Sequence, residues 1–358
     1  MSIESIIGAV GVLAIVIFVH ELGHFLVAKW CDVEVLTFSM GFGPTIFSRK
    51  VGETTYRLAL VPFGGYVRMA GQDDAGEDAA RDPSRGFSAK PLRQRAAIVA
   101  AGPVVNLVFA FVVMAAAYFF YGLLVPSNEA RVGAIVPSSP AAEAGLRTGE
   151  IVASIDGRTV ATWDEFATTV RESEGKPLAL VVRDESGTER SIDVQPKEMP
   201  NQDEFGEVIG RSFMIGIQRH FDHTEAGLFE SISMAGQSTY RMSAMIFTML
   251  ARLFQGRVDA ADLGGPIMIA QEAGRLAETG IEPLLRFIAL ISVNLGILNI
   301  LPVPVLDGGH LFFFLIEGLR GRPLSVRVRE MAQQVGVLLL VALMVFVVFN
   351  DISRIVAG

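Results

Sequence analysis

Long apolar runs alternate with polar, turn-rich stretches along this chain. Four runs read as membrane-crossing helices: residues 1–28, 96–124, 283–305 and 331–350. The second carries no charge between Arg95 and Glu129, the third only Arg286 near its start, and the fourth none from Met331 to Phe349. The uncharged part of the first, Ser5–Val19, is about 15 residues, short of the roughly 20 that a span needs. Its helix must therefore continue through 20-HELGH-24, which places His20 roughly 22 Å along the axis, in the far half of a bilayer. Glu4 in the leading segment and the lack of a small-residue cleavage site argue against a removable signal peptide.

Between the runs the period changes. In 29–95, the stretches 33-VEVLTFSMGFGP-44 and 54-TTYRLALVPFGGYVRMAG-71 are rich in β-branched and aromatic residues and punctuated by glycine. They predict short strands and turns, apolar enough to re-enter the membrane or line a cavity. Residues 72–84 are polar and predict a mobile loop. Residues 128–200 predict a small β-rich domain with one helix near Trp163–Glu174. Residues 201–282 predict a linker and amphipathic helices; 225–254, with Glu230, Arg241 and Arg252, reads as lying at the outer interface rather than as a fifth span. A loop at 306–330 and a tail at 351–358 complete the chain, and no internal repeat is evident.

Charge orients this arrangement. Lys and Arg gather in 29–95 and again at Arg320, Arg322, Arg327 and Arg329, which assigns both loops to the cytoplasm and 128–282 to the outside. The expected fold is a polytopic α-helical membrane protein of about four transmembrane helices, with a membrane-associated β-rich loop and an inserted α+β domain outside. Composition agrees: 51% of residues are hydrophobic and only 19% charged, below the usual quarter. The net charge of -8 argues against a nucleic-acid partner. The single cysteine, Cys31, excludes an intrachain disulfide and any cysteine-based metal site.

Polar groups inside a span are costly and point to function. His20 and His24, at i and i+4, share a helix face and can bind one Zn²⁺. The metal lowers the pKa of a water towards 7, and Glu21 can take that water's proton and pass it to the leaving amine. A third ligand is needed. Asp307 in 299-NILPVPVLDGGH-310 is the best candidate, at matching depth, after Pro302 and Pro304 have broken the third helix. His310 could compete, and on spacing alone Leu-Asp-Gly-Gly is equally a plain turn. His220 and His223 fall in the outer segment, at the wrong depth.

These residues resemble the M50-type site-2 protease family of intramembrane zinc metalloproteases, and within it the bacterial branch that controls sigma factors. The matching pieces are His20-Glu21-Leu22-Gly23-His24, 59-ALVPFGGYVRMAG-71, 87-FSAKPLRQRAAIVAAGPVVN-106, 144-AGLRTGEIVASIDG-157, 264-GGPI-267 and Asn294 through Gly309. The resemblance implies one Zn²⁺ held by His20, His24 and Asp307, with Glu21 as general base, in a bacterial inner membrane and nearer its cytoplasmic face. It implies that the outer, periplasmic domain is a PDZ domain; relatives of the best-known type carry two in tandem, and this chain has room for one. It implies a substrate that is a single-span membrane protein already trimmed by another protease, such as an anti-sigma factor, or a signal-peptide remnant.

Asn294 and Asn299 could hydrogen-bond a substrate backbone, as the resemblance also suggests, with Pro302 and Pro304 shaping the groove. Bonds between helices explain both asparagines, and Asn106, as well. The hairpin around Tyr56–Val67 could add a substrate strand, and Val132, Gly133, Ala134 and Ile135 form a candidate loop for a C-terminal carboxylate. Two rival readings are a membrane-anchored PDZ scaffold without proteolytic activity, which leaves the clustered ligands unexplained, and an ion transporter, which lacks the expected inverted repeat.

Overall fold

The computed structural model describes residues 3–72, 80, 82–203, 207–257 and 264–357. Most of the polar stretch expected to be a mobile loop, 72–84, lies outside them. The chain forms two compact units, residues 1–120 with 228–358, and residues 121–227.

Helix α1 (Ile3–Trp30) runs unbroken through both histidines, as the length of the first apolar run requires. Strands β1 (Val35–Val51) and β2 (Thr54–Met69) follow and are antiparallel. Both bend, so that Phe38 pairs with Val67 on one side and Tyr56 on the other, while Ser48 pairs with Arg57 beyond. Two long strands therefore make four ribbons, in place of the short separate strands that the pattern predicts. The inner part packs on the helices through Val33, Val35, Phe38, Val67 and Met69, against Ala28, Ile98 and Val99. The outer part leaves Ile46, Phe47, Leu58 and Leu60 exposed. A network of Glu53 with Arg85 and Lys29 closes the base of this sheet. The guanidinium of Arg85 and then the Lys29 ammonium hold the Glu53 carboxyl down to about 2. Helix α2 (Leu92–Tyr121) starts and stops a few residues before the predicted 96–124, and contains Pro103.

The second unit begins with β3 (Leu123–Pro126), the stretch expected to end the second span, which pairs instead with β12 (Phe221–Thr224). Between them lie β4 (Val132–Ile135), α3 (Pro140–Glu143), β5 (Ile151–Ile155), β6 (Arg158–Thr159), α4 (Trp163–Glu172), β7 (Leu178–Arg183), β8 (Glu189–Val194), β9 (Lys197–Gln202), β10 (Val208–Met214) and β11 (Ile217–Arg219). The main sheet has the order β6-β5-β7-β8, with β4 paired to β11 and β9 to β10. Sequence explains the details. Asp156 and Gly157 both take positive φ in the two-residue turn between β5 and β6. Thr162 and Glu165 form a capping box that starts α4. Val152, Leu180, Val182, Phe166 and Val170 make an ordinary apolar core. Within the stretch expected to be linker, residues 208–214, 217–219 and 221–224 complete this unit as strands.

The chain then returns to the first unit. α5 (Leu228–Phe254) is the expected amphipathic helix, with Ser231 and Ala235 buried. α6 (Pro266–Thr279) packs beside α1, where Ala273 joins Ala9, Val12 and Val16 in one cluster with Ile288 and Ile291. α7 (Ile281–Ile300) ends short of the predicted 305. α8 (Asp307–Arg320) is a helix where a loop is predicted, and α9 (Val326–Ala357) is longer than the predicted fourth span. Among the described residues four helices are long and apolar enough to cross a membrane, at Gly8–Trp30, Leu92–Tyr121, Ile281–Ile300 and Val326–Val356. Near the end of α9 the buried Asp351 accepts the N–H groups of Gly265, Ile267 and Met268 at 3.0–3.2 Å, and so caps α6 from another element.

Candidate metal centre

On α1, His20 and His24 stand one turn apart and are both buried, 7% and 8% exposed. The third donor comes from the far end of the chain. α7 stops at Ile300, because Pro302 and Pro304 lack the N–H groups that would continue it. The chain then turns, and α8 begins at Asp307 itself. Gly308 and Gly309 permit this: a Cβ on Gly308 would lie 2.1 Å from the Ile300 carbonyl oxygen, and one on Gly309 would lie 2.2 Å from that of Val303. The run read as a possible turn is thus a helix start pressed against its own preceding backbone. Arg95 at the start of α2 pairs with Glu317 and stacks its guanidinium 5.1 Å from the Phe314 ring centre, which ties α8 in place.

Nε2 of His20 lies 3.0 Å from Oδ2 of Asp307, Nε2 of His24 lies 3.4 Å from it, and the two Nε2 atoms are 3.2 Å apart. Donors around one tetrahedral zinc, each about 2.0–2.1 Å away, stand about 3.3 Å apart, so the triangle fits that ion. Oδ2 of Asp307 is buried and makes no well-directed hydrogen bond, although both imidazoles are near. Lone pairs turned to a common point would produce this. Among the described residues His20, His24 and Asp307 form the one cluster that could hold a metal ion. His310 lines the same space one turn beyond Asp307 but is outside the cluster. His220 and His223 belong to the second unit.

Helix α2 closes the site from behind. Gly102 is essential to its approach, since a Cβ there would lie 2.3 Å from Nε2 of His24 and 2.8 Å from Cε1 of His20. Nδ1 of His24 bonds the Ile98 carbonyl at 2.9 Å, and Nδ1 of His20 faces the Asn106 amide at 3.3 Å. Sequence pattern alone assigns no role to Gly102 or Ile98, and leaves Asn106 only among possible bonds between helices. The signal was the glycine-proline pair inside 101-AGPVVN-106, where a helix breaker in an apolar span marks a close approach.

In front lies a cavity of about 930 Å³. Glu21, Asn299, Leu306 and the ribbon Gly64–Val67 line it together with the three donors. The Val67 N–H lies against the Glu21 carboxylate. Asn294, Pro302 and Pro304 are not among the lining residues, so of the four expected substrate-binding residues the structure brings Asn299 to the cavity. Within the expected Tyr56–Val67 segment, residues 56–58 are already paired on both sides; the ribbon that faces the cavity is the later part. In the second unit, β4 pairs with β11 on one edge, and on the other the Val132 N–H and carbonyl bond Glu150 and Gly149. Val132 is therefore bonded on both sides, and the rest of the Val132–Ile135 stretch lies along β11. Among the described strands β11 pairs with β4 alone.

Comparison with known proteins agrees with this geometry. The model of peptidase family M50 matches residues 8–343. The chain belongs to peptidase family M50. A Geobacillus kaustophilus protein named zinc metalloprotease RasP is 33% identical, over 99% of each chain. The regulator of sigma-W protease RasP of Bacillus subtilis is 31% identical, again over 99% of each. An Agrobacterium fabrum protein provisionally named a zinc metalloprotease is 35% identical over 96% of this chain and 94% of its own. Among solved structures, the PDZ domain of an SdrC-like protein from Listeria monocytogenes covers 27% of this chain and 93% of its own at 19% identity, with a TM-score of 0.21, too low to carry weight. The resemblance read from the sequence is borne out, and with it the expectations of a metalloprotease and of zinc. Nothing favours a scaffold without proteolytic activity.

Proposed function

We propose that this chain is a four-span intramembrane zinc endopeptidase that hydrolyses a peptide bond within or beside the membrane segment of its substrate. The observation that carries the reading is the triangle of donors made by His20 and His24 of the apolar helix α1 with Asp307 of α8, beside Glu21 and open to one cavity. His20, His24 and Asp307 would hold the ion, which when bound acidifies water and polarises the scissile carbonyl. Glu21 takes a proton at its carboxylate from the attacking water and returns it to the departing amine nitrogen, work worth typically 10²–10⁴-fold in rate.

A helical substrate must unwind to be cut. Residues 64–67, at the cavity wall, are placed to pair with an extended segment, and Asn299 to bond its freed backbone. Asn294, Pro302 and Pro304 shape that region from outside the wall. The basic residues of 29–95 and 306–330 support a cytoplasmic side for those segments in a bacterial cell, with the metal centre nearer that face of the inner membrane and the 121–227 unit in the periplasm. That unit is read as a single PDZ-type domain that admits trimmed chains. The name of the Bacillus subtilis relative favours an anti-sigma factor as substrate, a single-span protein after a first cut; signal-peptide remnants have the same chemistry.

The test uses the detergent-purified chain. Wild type should hold about one zinc, as a three-ligand catalytic site does. His20→Ala, His24→Ala and Asp307→Ala should lose both zinc and cleavage, while Glu21→Gln should keep zinc and lose cleavage. Activity retained in Glu21→Gln would remove that residue from its role, and zinc retained in all three ligand variants would remove the site.

A further inference from the structure

A neutral imidazole that turns its Nε2 lone pair to a metal must carry its proton on Nδ1, and that N–H needs an acceptor. His24 has one in the Ile98 carbonyl. His20 Nδ1 instead faces the side-chain amide of Asn106, with Nδ2 the nearer atom at 3.3 Å. That pairing would set donor against donor. On the same side chain, Oδ1 is buried without any partner. Amide oxygen and nitrogen occupy equivalent positions, and their order is assigned from the hydrogen bonds around them. Turning the Asn106 amide over gives the His20 Nδ1–H its acceptor in Oδ1, and leaves the amide nitrogen in the position that has no partner.

The amide is well held for this purpose. Asn106 is fully buried on α2. Its main-chain carbonyl accepts the hydroxyl of Ser292 on α7 at 2.9 Å. A Cβ on Gly296 of α7 would lie 3.4 Å from the Asn106 Cβ, so the two helices meet there without a spacer. Asn106 therefore sits where α1, α2 and α7 cross.

We propose that Asn106 is a positioning residue for the metal centre: its side-chain oxygen accepts the Nδ1–H of His20 and fixes the tautomer and ring angle that present Nε2. This rests on the reading of His20, His24 and Asp307 as the metal ligands. It gives the two histidines matched supports, a main-chain carbonyl for one and a side-chain carbonyl for the other, both from α2.

The test is the zinc dissociation constant of the full-length chain, measured by chelator competition, with the thermal midpoint of the metal-free chain alongside. Asn106→Ala should weaken zinc roughly 10–100-fold, the usual effect of losing such a support. Asn106→Asp keeps an acceptor oxygen and removes the donor, and should bind zinc close to wild type. Two results would overturn the assignment: Asn106→Ala binding zinc as wild type does, or Asn106→Asp as weak as Asn106→Ala, which would mean that the donor or simple packing matters. A purely structural role would lower the metal-free midpoint without rescue by aspartate. If wild type itself takes up no zinc, the reading of the ligands fails and this inference falls with it.

Discussion

The two units of this chain solve opposite problems with the same twenty side chains. In residues 121–227 the interior is Val152, Leu180, Val182 and Phe166, and the buried carboxylate of Glu150 is held by a two-pronged contact with Arg190 at 2.9 Å. The unit of the four apolar helices has apolar clusters too, around Val16 and Ile98, but adds polar groups to its interior and leaves large apolar side chains outside. His20, His24, Asn106 and Ser292 are inside, while Leu338 and Phe120 are 69% and 74% exposed. In water, apolar burial drives folding at roughly 25 cal/mol per Å². Between lipid-facing helices that drive is missing, and close packing of small residues with hydrogen bonds replaces it. The comparison teaches where specificity is stored: in large side chains in one unit, and in glycines and polar contacts in the other.

Three substitutions sharpen or break this contrast. The largest effect should come from the smallest residue. Gly102→Val must displace the imidazoles of His24 and His20, and cleavage should fall on the order of 10²-fold or more, as for an ångström-scale misplacement, with zinc binding weakened in parallel. A variant as active as wild type would show that α2 can retreat without cost. Next, Leu180→Ala should destabilise the 121–227 unit by about 2–5 kcal/mol, read as an earlier melting step or faster proteolysis within it, and leave the zinc content unchanged. Loss of zinc in this variant would mean that the two units do not fold independently. The smallest effect belongs to Glu53. Its folded carboxyl is held near 2 against an ordinary 4.5, so the contribution is full above about pH 4.5 and fades as pH falls towards 2. Because the pair is partly exposed, the difference in midpoint between wild type and Glu53→Gln should be small at neutral pH and should shrink through that window.

The sequence made some of this plain and hid the rest for physical reasons. His20, Glu21 and His24 were legible because a helix period alone sets their face, and the four apolar runs because length and polarity suffice. Asp307 was legible as a donor type, yet its helix was not, since Gly308 and Gly309 suggest a turn until the carbonyls of Ile300 and Val303 are seen beside them. The bends that fold β1 and β2 into four ribbons depend on pairing between residues far apart in sequence. Gly102 and Asn106 were hidden for the same reason: their work is defined by a crossing of helices, and nothing local records which helix will arrive. In the second unit, Val132–Ile135 resembled a peptide-binding loop by composition, but β11 arrives from more than eighty positions later and takes one of its edges.

The cap that Asp351 places on α6 has a consequence for biosynthesis. α6 packs along α1, but the carboxylate that satisfies its first N–H groups belongs to the last turns of α9. During translation α1 is therefore made long before its neighbour can be completed. Until Asp351 emerges, Gly265, Ile267 and Met268 must find other acceptors, and α6 is poorly secured against α1. The metal centre, whose donors come from α1 and α8, can assemble earlier than the capped packing of α6 on α1, so the nascent protease passes through a stage with its ligands in place and α6 not yet capped.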